Sequence, residues 1–251
     1  MGEQPGPQVT RVAAQRIVGK RRNGILASLT PSDQSLLNPL LRPTELVLRQ
    51  RLETAKRKIP AVYFLESGLA SVVVRGTCGK RQTEAAIIGS EGMTGLAVVL
   101  GVDRSPHETF MQHEGVGQYI ASDDLRAAMA QSSSLTAAFL RFAHVLSVQV
   151  AHSALANAQG KIEERLARWL LMAHDRIDGD DLCLTHEFLS IMLGVRRAGV
   201  TSALHQLEAH AQISIARGSI TVLDRAGLEE SANGLYGAPE AELERLFGKM
   251  S

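Results

Sequence analysis

The chain has 251 residues, 45% of them hydrophobic, enough for two modest domains or one large one with a real core. With 27 Lys and Arg against 26 Asp and Glu, the net charge of +1 offers no global attraction for nucleic acid, a membrane or an acidic substrate, so any basic surface has to be local. The two cysteines, Cys78 and Cys183, are too few and too far apart for a disulfide framework, a CxxC metal site or a four-cysteine iron–sulfur cluster.

No apolar run approaches the roughly 18 residues that span a bilayer, and the N-terminal stretch lacks the apolar block of a secretory signal. The expectation is a cytoplasmic protein with no membrane partner. Residues 1–23 are polar and rich in arginine and lysine, which reads as a flexible basic arm.

Residues 24–132 read as one unit. The stretch LASLTPSDQSLLNPLL has Thr30 as a cap and Pro31 at the first helical position, which predicts a helix. From Leu46 to about Ile120 the signal changes to short β-prone runs punctuated by glycine, the spacing of a small sandwich or barrel, with RGTCGK as the clearest hairpin turn. SDDLRAAMAQ then predicts a short capped helix.

Residues 133–159 carry Leu135, Phe139, Phe142, Leu146 and Val150 at spacings of three or four. Such a long stripe suits packing against a copy of itself, with packing on the barrel alone as the alternative. Gly160 interrupts the helix, and KIEERLARWLLMAHDRI begins another, so a domain boundary falls there and a second unit runs over 160–230. Residues 231–251 read as a C-terminal tail.

Within the second unit, Thr185 caps a helix whose buried face is Phe188, Leu189 and Met192. Gly194 and Val195 make a tight turn that favours a positive φ, and the next helix buries Val200, Leu204 and Leu207. That phase turns Arg197, Ala198, Thr201, Ser202 and His205 outward, the form of a helix-turn-helix with a basic and polar reading face. QISIARGSITVLD follows with alternating apolar residues about Arg217 and Gly218, a hairpin wing with a cation at its tip. Arginine suits a reading helix because its fork meets guanine in a bidentate pair or grips phosphate.

In this order of elements, and in VYFLESGLASVVV, EERLARWLLMAHDR and LTHEFLSIMLGVRRAGVTSALHQLE, residues 24–230 resemble the Crp/Fnr superfamily of bacterial transcription regulators. The resemblance implies an α+β fold: a cyclic-nucleotide-binding-like β jelly roll, a long dimerisation helix and a C-terminal winged helix-turn-helix. It implies a homodimer on approximately palindromic double-stranded DNA, with RNA polymerase as a further partner and a small-molecule effector sensed by the barrel. The family's reading positions fall on Arg196, Arg197, Ala198 and Ser202, with Thr185 at a phosphate contact. The family's usual acid at 198 and arginine at 202 are absent, so Arg197 is the expected base reader and Arg196 an anchor on phosphate.

The ligand cassette departs further. Leu96 stands where a ribose-holding glutamate is expected, Arg104 and Ser105 stand before a proline rather than in the cassette helix, and Val150 takes a polar adenine-contact position. These four residues mark the expected effector pocket, and cyclic AMP is not its expected occupant. For haem, His107, His113, His144 and His152 qualify in number only. A ligand-binding or scaffold protein that uses the winged helix for protein contacts stays open as the alternative. No catalytic motif stands out, so an enzyme is not expected.

Overall fold

The computed structural model describes residues 22–78 and 81–249. The expected basic arm lies outside the described residues, apart from Arg22 and Asn23. The chain enters the fold on Glu66, whose Oε2 accepts the backbone N–H groups of Arg22 and Asn23 at 2.6 and 2.8 Å. Asn23 caps helix α1 (Gly24–Ser28), and Thr30 caps α2 (Pro31–Leu37), which starts on Pro31 as its missing N–H allows.

Among the described residues, seven strands follow: β1 (Arg42–Leu46), β2 (Arg51–Glu53), β3 (Ala61–Leu65), β4 (Leu69–Arg75), β5 (Gln82–Ile88), β6 (Glu108–His113) and β7 (Gly115–Ala121). They form two antiparallel sheets, in orders β1-β7-β3 and β2-β6-β4-β5, the interleaving of a jelly roll. Strands β4 and β5, on either side of the RGTCGK segment, pair antiparallel; Gly79 and Lys80 of the expected turn lie outside the described residues. A short helix α3 (Leu96–Val99) lies between β5 and β6.

Helix α4 (Ser122–Gln131) leads into α5 (Ser133–Gln159), which Ser132 caps through Leu135 N–H at 3.2 Å. Leu135, Phe139 and Phe142 bury one face of α5 in the barrel core with Phe64, Leu65 and Ile25. By length and composition α5 is long and apolar enough to cross a membrane, contrary to the expectation of no such run. Its alanines and valines raise its apolar character, and its buried face serves the barrel core.

After Gly160 come α6 (Ile162–His174), β8 (Asp181–Leu182), α7 (His186–Leu193), α8 (Arg197–Ala209), β9 (Ile213–Ala216), β10 (Ser219–Val222) and α9 (Arg225–Ser231). The three strands pair in the order β8-β10-β9. Leu166, Leu170, Leu189, Val200, Leu204, Leu207, Ile213 and Ile220 make a second core. Leu69 and Ile87 of the barrel join it, so the outer face of the four-stranded sheet is covered by the winged helix. This burial on both faces explains the near-continuous apolar run of β4.

The segment read as a tail contains helix α10 (Ala238–Phe247), which packs along α5. Leu243, Leu246 and Phe247 lie at helical spacing and are half-buried, and Glu242 Oε1 meets His144 Nε2 at 2.7 Å. An isolated ten-residue helix is marginal in water, so contact with α5 holds it.

Candidate nucleic-acid interface

Thr185 Oγ1 accepts the N–H of Phe188 at 3.2 Å and starts α7. Gly194 ends the helix at φ 64, a left-handed conformation in which a Cβ is strained, and turns the chain into α8 within two residues. Arg196 occupies the N-cap of α8 but has no acceptor atom to cap with, so its guanidinium is free for other use.

Burial of Val200, Ala203, Leu204 and Leu207 fixes the phase of α8. Arg196, Arg197, Ala198, Ser202 and His205 are consequently exposed. Among the described residues neither Arg196 nor Arg197 has a hydrogen bond or ion pair through its side chain, so two unpaired cations stand at the helix start. His205 Nδ1 lies 3.6 Å from Glu208 Oε2 on the same exposed face.

Thr201 is placed differently from the outward position expected. It is half-buried, and its hydroxyl lies 3.1 Å from Nδ1 of His186, joining α8 to α7. One turn after Arg197, Thr201 reaches the edge of the helix pair rather than its open face. His186 is the partner that the sequence did not reveal, because helix periodicity assigns a face without showing which neighbour lies beside it.

In the wing, Ser219 pairs with Ala216, leaving Arg217 and Gly218 as a two-residue loop. Gly218 takes φ 80, a conformation glycine adopts without strain, and Arg217 is exposed without a partner among the described residues. Thr185, Arg196, Arg197, Ser202, His205 and Arg217 are thus all exposed on one helix-turn-helix and wing.

The winged helix is fixed to the barrel through polar contacts that local sequence does not show. Trp169 Nε1 donates to Glu84 Oε1 at 2.5 Å, and Thr83 Oγ1 donates to the carbonyl of Met192 at 3.1 Å. Burial raises the Glu84 carboxyl to about 7, although the nearby Ser71 hydroxyl and the Trp169 N–H pull it back down. Arg165 reaches the Leu193 carbonyl and Asn157 Oδ1, clamping the end of α7 to α5. A lone glutamate in the apolar run QTEAAII was the available signal for this seam.

The four expected effector-pocket residues are not gathered together. Leu96 packs on the barrel core, whereas Arg104 is exposed and donates to the Lys56 carbonyl at 3.3 Å. Ser105 is buried and accepts from His107 N–H at 3.2 Å, and Val150 is 40% exposed on α5. At the start of α3, Glu53 Oε1 accepts from Gly95 N–H at 2.9 Å and Thr109 Oγ1 at 3.1 Å. A carboxylate of the chain itself therefore holds that helix-terminal N–H.

Residues 164–231 match the family model of the Crp-like helix-turn-helix domain. No curated protein matches the chain. Among solved structures, a protein from Eubacterium rectale ascribed to the Crp/Fnr family superposes with a TM-score of 0.66 at 16% identity, covering 82% of this chain and 96% of its own. A CRP-family transcriptional regulator from Thermus thermophilus gives 0.65 at 19% identity, covering 78% and 99%. The c-di-GMP-responsive global regulator CLP of Xanthomonas campestris gives 0.60 at 15% identity, covering 77% and 99%. The likeness to these structures is one of fold, an α+β jelly roll followed by a helix-turn-helix. Residues 164–231 thus carry a Crp-like helix-turn-helix domain, and the chain shares the overall fold of these Crp/Fnr-type structures.

Proposed function

We propose that the protein is a homodimeric regulator that reads an approximately palindromic DNA operator with α8 and grips its backbone with Arg196 and the wing. The observation that carries this reading is the pair of exposed, unpaired arginines at the N-terminus of α8, where a recognition helix meets base edges. Arg197, within the first helical turn, serves as the base reader, and Arg196 and Arg217 serve as phosphate contacts. Ala198 and Ser202 beside them give the head a code of its own.

Dimerisation is supported by α5, whose barrel-facing side is buried while Leu140, Val150 and Leu155 remain 43%, 40% and 39% exposed. Ala151 and Ala154 lie exposed among them and allow close helix approach. A two-fold dimer then places half-sites about 34–36 Å apart, one helical turn of DNA. The barrel is the unit through which a small-molecule effector acts on the reading heads. Chromatin immunoprecipitation with sequencing tests the proposal: it should return a two-fold symmetric motif, and enrichment without any shared motif contradicts it.

A further inference from the structure

Between the outer face of the four-stranded sheet and helix α7 lies a cavity of about 430 Å³. That is within the range of small-molecule sites, roughly 300–1,000 Å³. Val73 and Phe110 form its barrel wall, and Phe188, Ile191 and Met192 form the wall on the reading head. This seam is separate from the expected effector residues Leu96, Arg104, Ser105 and Val150, none of which lines it.

Three features of the cavity point to a ligand. Arg49 and Arg51 line it and are both exposed at its mouth, with no ion pair or hydrogen bond through their side chains among the described residues. The third arginine, Arg75, is already neutralised by Glu108 at 2.9 Å. Arg49 is held at φ 64, uncommon for a residue with a side chain, by its N–H bond to the Met111 carbonyl at 2.8 Å. Finally, Gln112 lines the same cavity at 7% exposure; its Oε1 accepts from the Ser71 hydroxyl, and its amide nitrogen is buried without an acceptor among the described residues. An orphaned buried donor costs free energy that a ligand acceptor recovers.

We infer that this seam binds an organic carboxylate with an apolar body, its head on Arg49 and Arg51 and an oxygen on the Gln112 amide. A guanidinium fork matches a carboxylate bidentately, and two unpaired cations suit a small anionic head. The apolar walls suit a hydrocarbon or aryl body and offer few partners to a nucleobase. Because α7 forms one wall and leads through Gly194 into α8, an occupant bears directly on the position of the reading helix. This consequence rests on the regulator reading, whereas binding itself does not.

Trp169 is the sole tryptophan, and its ring lies 6.5 Å from that of Phe188 in the cavity wall, so its fluorescence reports occupancy without DNA. Titration of the full chain with decanoate should give a saturable change, with 1-decanol and inorganic phosphate each binding at least about tenfold more weakly. Arg49→Ala/Arg51→Ala should weaken decanoate binding about tenfold or more, and an unchanged melting temperature verifies the fold. In a Cys78→Ser background, decanoate should also slow alkylation of Cys183, which lines the cavity. No saturable response, equal responses to decanoate and decanol, an undiminished response in the double variant, or unchanged alkylation would each overturn the assignment. Saturable, arginine-dependent binding by a protein that selects no DNA motif would instead uphold the site and remove the regulator reading.

Discussion

Trp169 and Glu84 meet across the seam between the winged helix and the barrel, with the indole N–H 2.5 Å from the carboxylate and both residues buried. The second carboxylate oxygen of Glu84 is buried without a partner among the described residues, so ionisation there is costly. The barrel and the winged helix thus share one titratable group at the point where they are joined.

Seam stability should therefore depend on pH. The folded-state value of Glu84, about 7, lies above its ordinary value near 4.5, so the folded protein binds the proton more tightly. This contribution is fully present below about 4.5 and is lost as pH rises towards 7, by up to roughly 3 kcal/mol. Trp169 fluorescence during urea unfolding at pH 6 and pH 8 measures it. Glu84→Gln should flatten the difference and stabilise the protein at pH 8; an unchanged pH profile in that variant contradicts the assignment.

Arg197 and the two proposed anchors should behave differently on DNA. Arg197→Ala should cost about 1–3 kcal/mol against the preferred site and relax base preference at one position of each half-site. Arg196→Ala and Arg217→Ala should weaken binding to all sequences alike and reduce the salt slope by about 1 for each phosphate no longer neutralised. Anisotropy titrations over a salt series separate the two classes, and a uniform weakening in Arg197→Ala would reverse the assigned roles.

The Thr201–His186 contact yields a prediction against a DNA role for Thr201. Thr201→Val should cost about 1 kcal/mol of folding stability by removing the link between α7 and α8. Once the melting shift is accounted for, operator affinity should stay near that of the wild type. Ser202→Ala, at an exposed position, should show the opposite pattern.

Placing a charge on the exposed face of α5 should separate the subunits. Val150→Glu and Ala151→Glu lie on that face, away from the barrel core, so each protomer should keep its fold. Sedimentation should show the wild type at twice the chain mass and the double variant as a monomer. A wild-type monomer at micromolar concentration would contradict the proposed assembly.

Local chemistry made some parts of this structure legible in the sequence. Thr30 and Pro31 begin α2, Gly194 carries the positive φ of the turn, and Arg217–Gly218 forms the wing tip, because each acts within a few residues of chain. The phase of α8 is readable for the same reason. Contacts made at long range leave no such mark: Thr201 bonds to His186 on a neighbouring helix, and Glu84 to Trp169 across two domains. Helix α10 escapes notice because its acidic run masks Leu243, Leu246 and Phe247, which gain their packing partner only when α5 lies beside them.

Sequence-specific reading of DNA by α8 can be measured by selecting sites from random double-stranded DNA with the purified full chain and with Arg197→Ala in parallel. The expected result is enrichment of two inverted half-sites centred about one helical turn apart, with one base position losing its preference in the variant. Selection without any enriched motif, or an identical motif from both proteins, would contradict it.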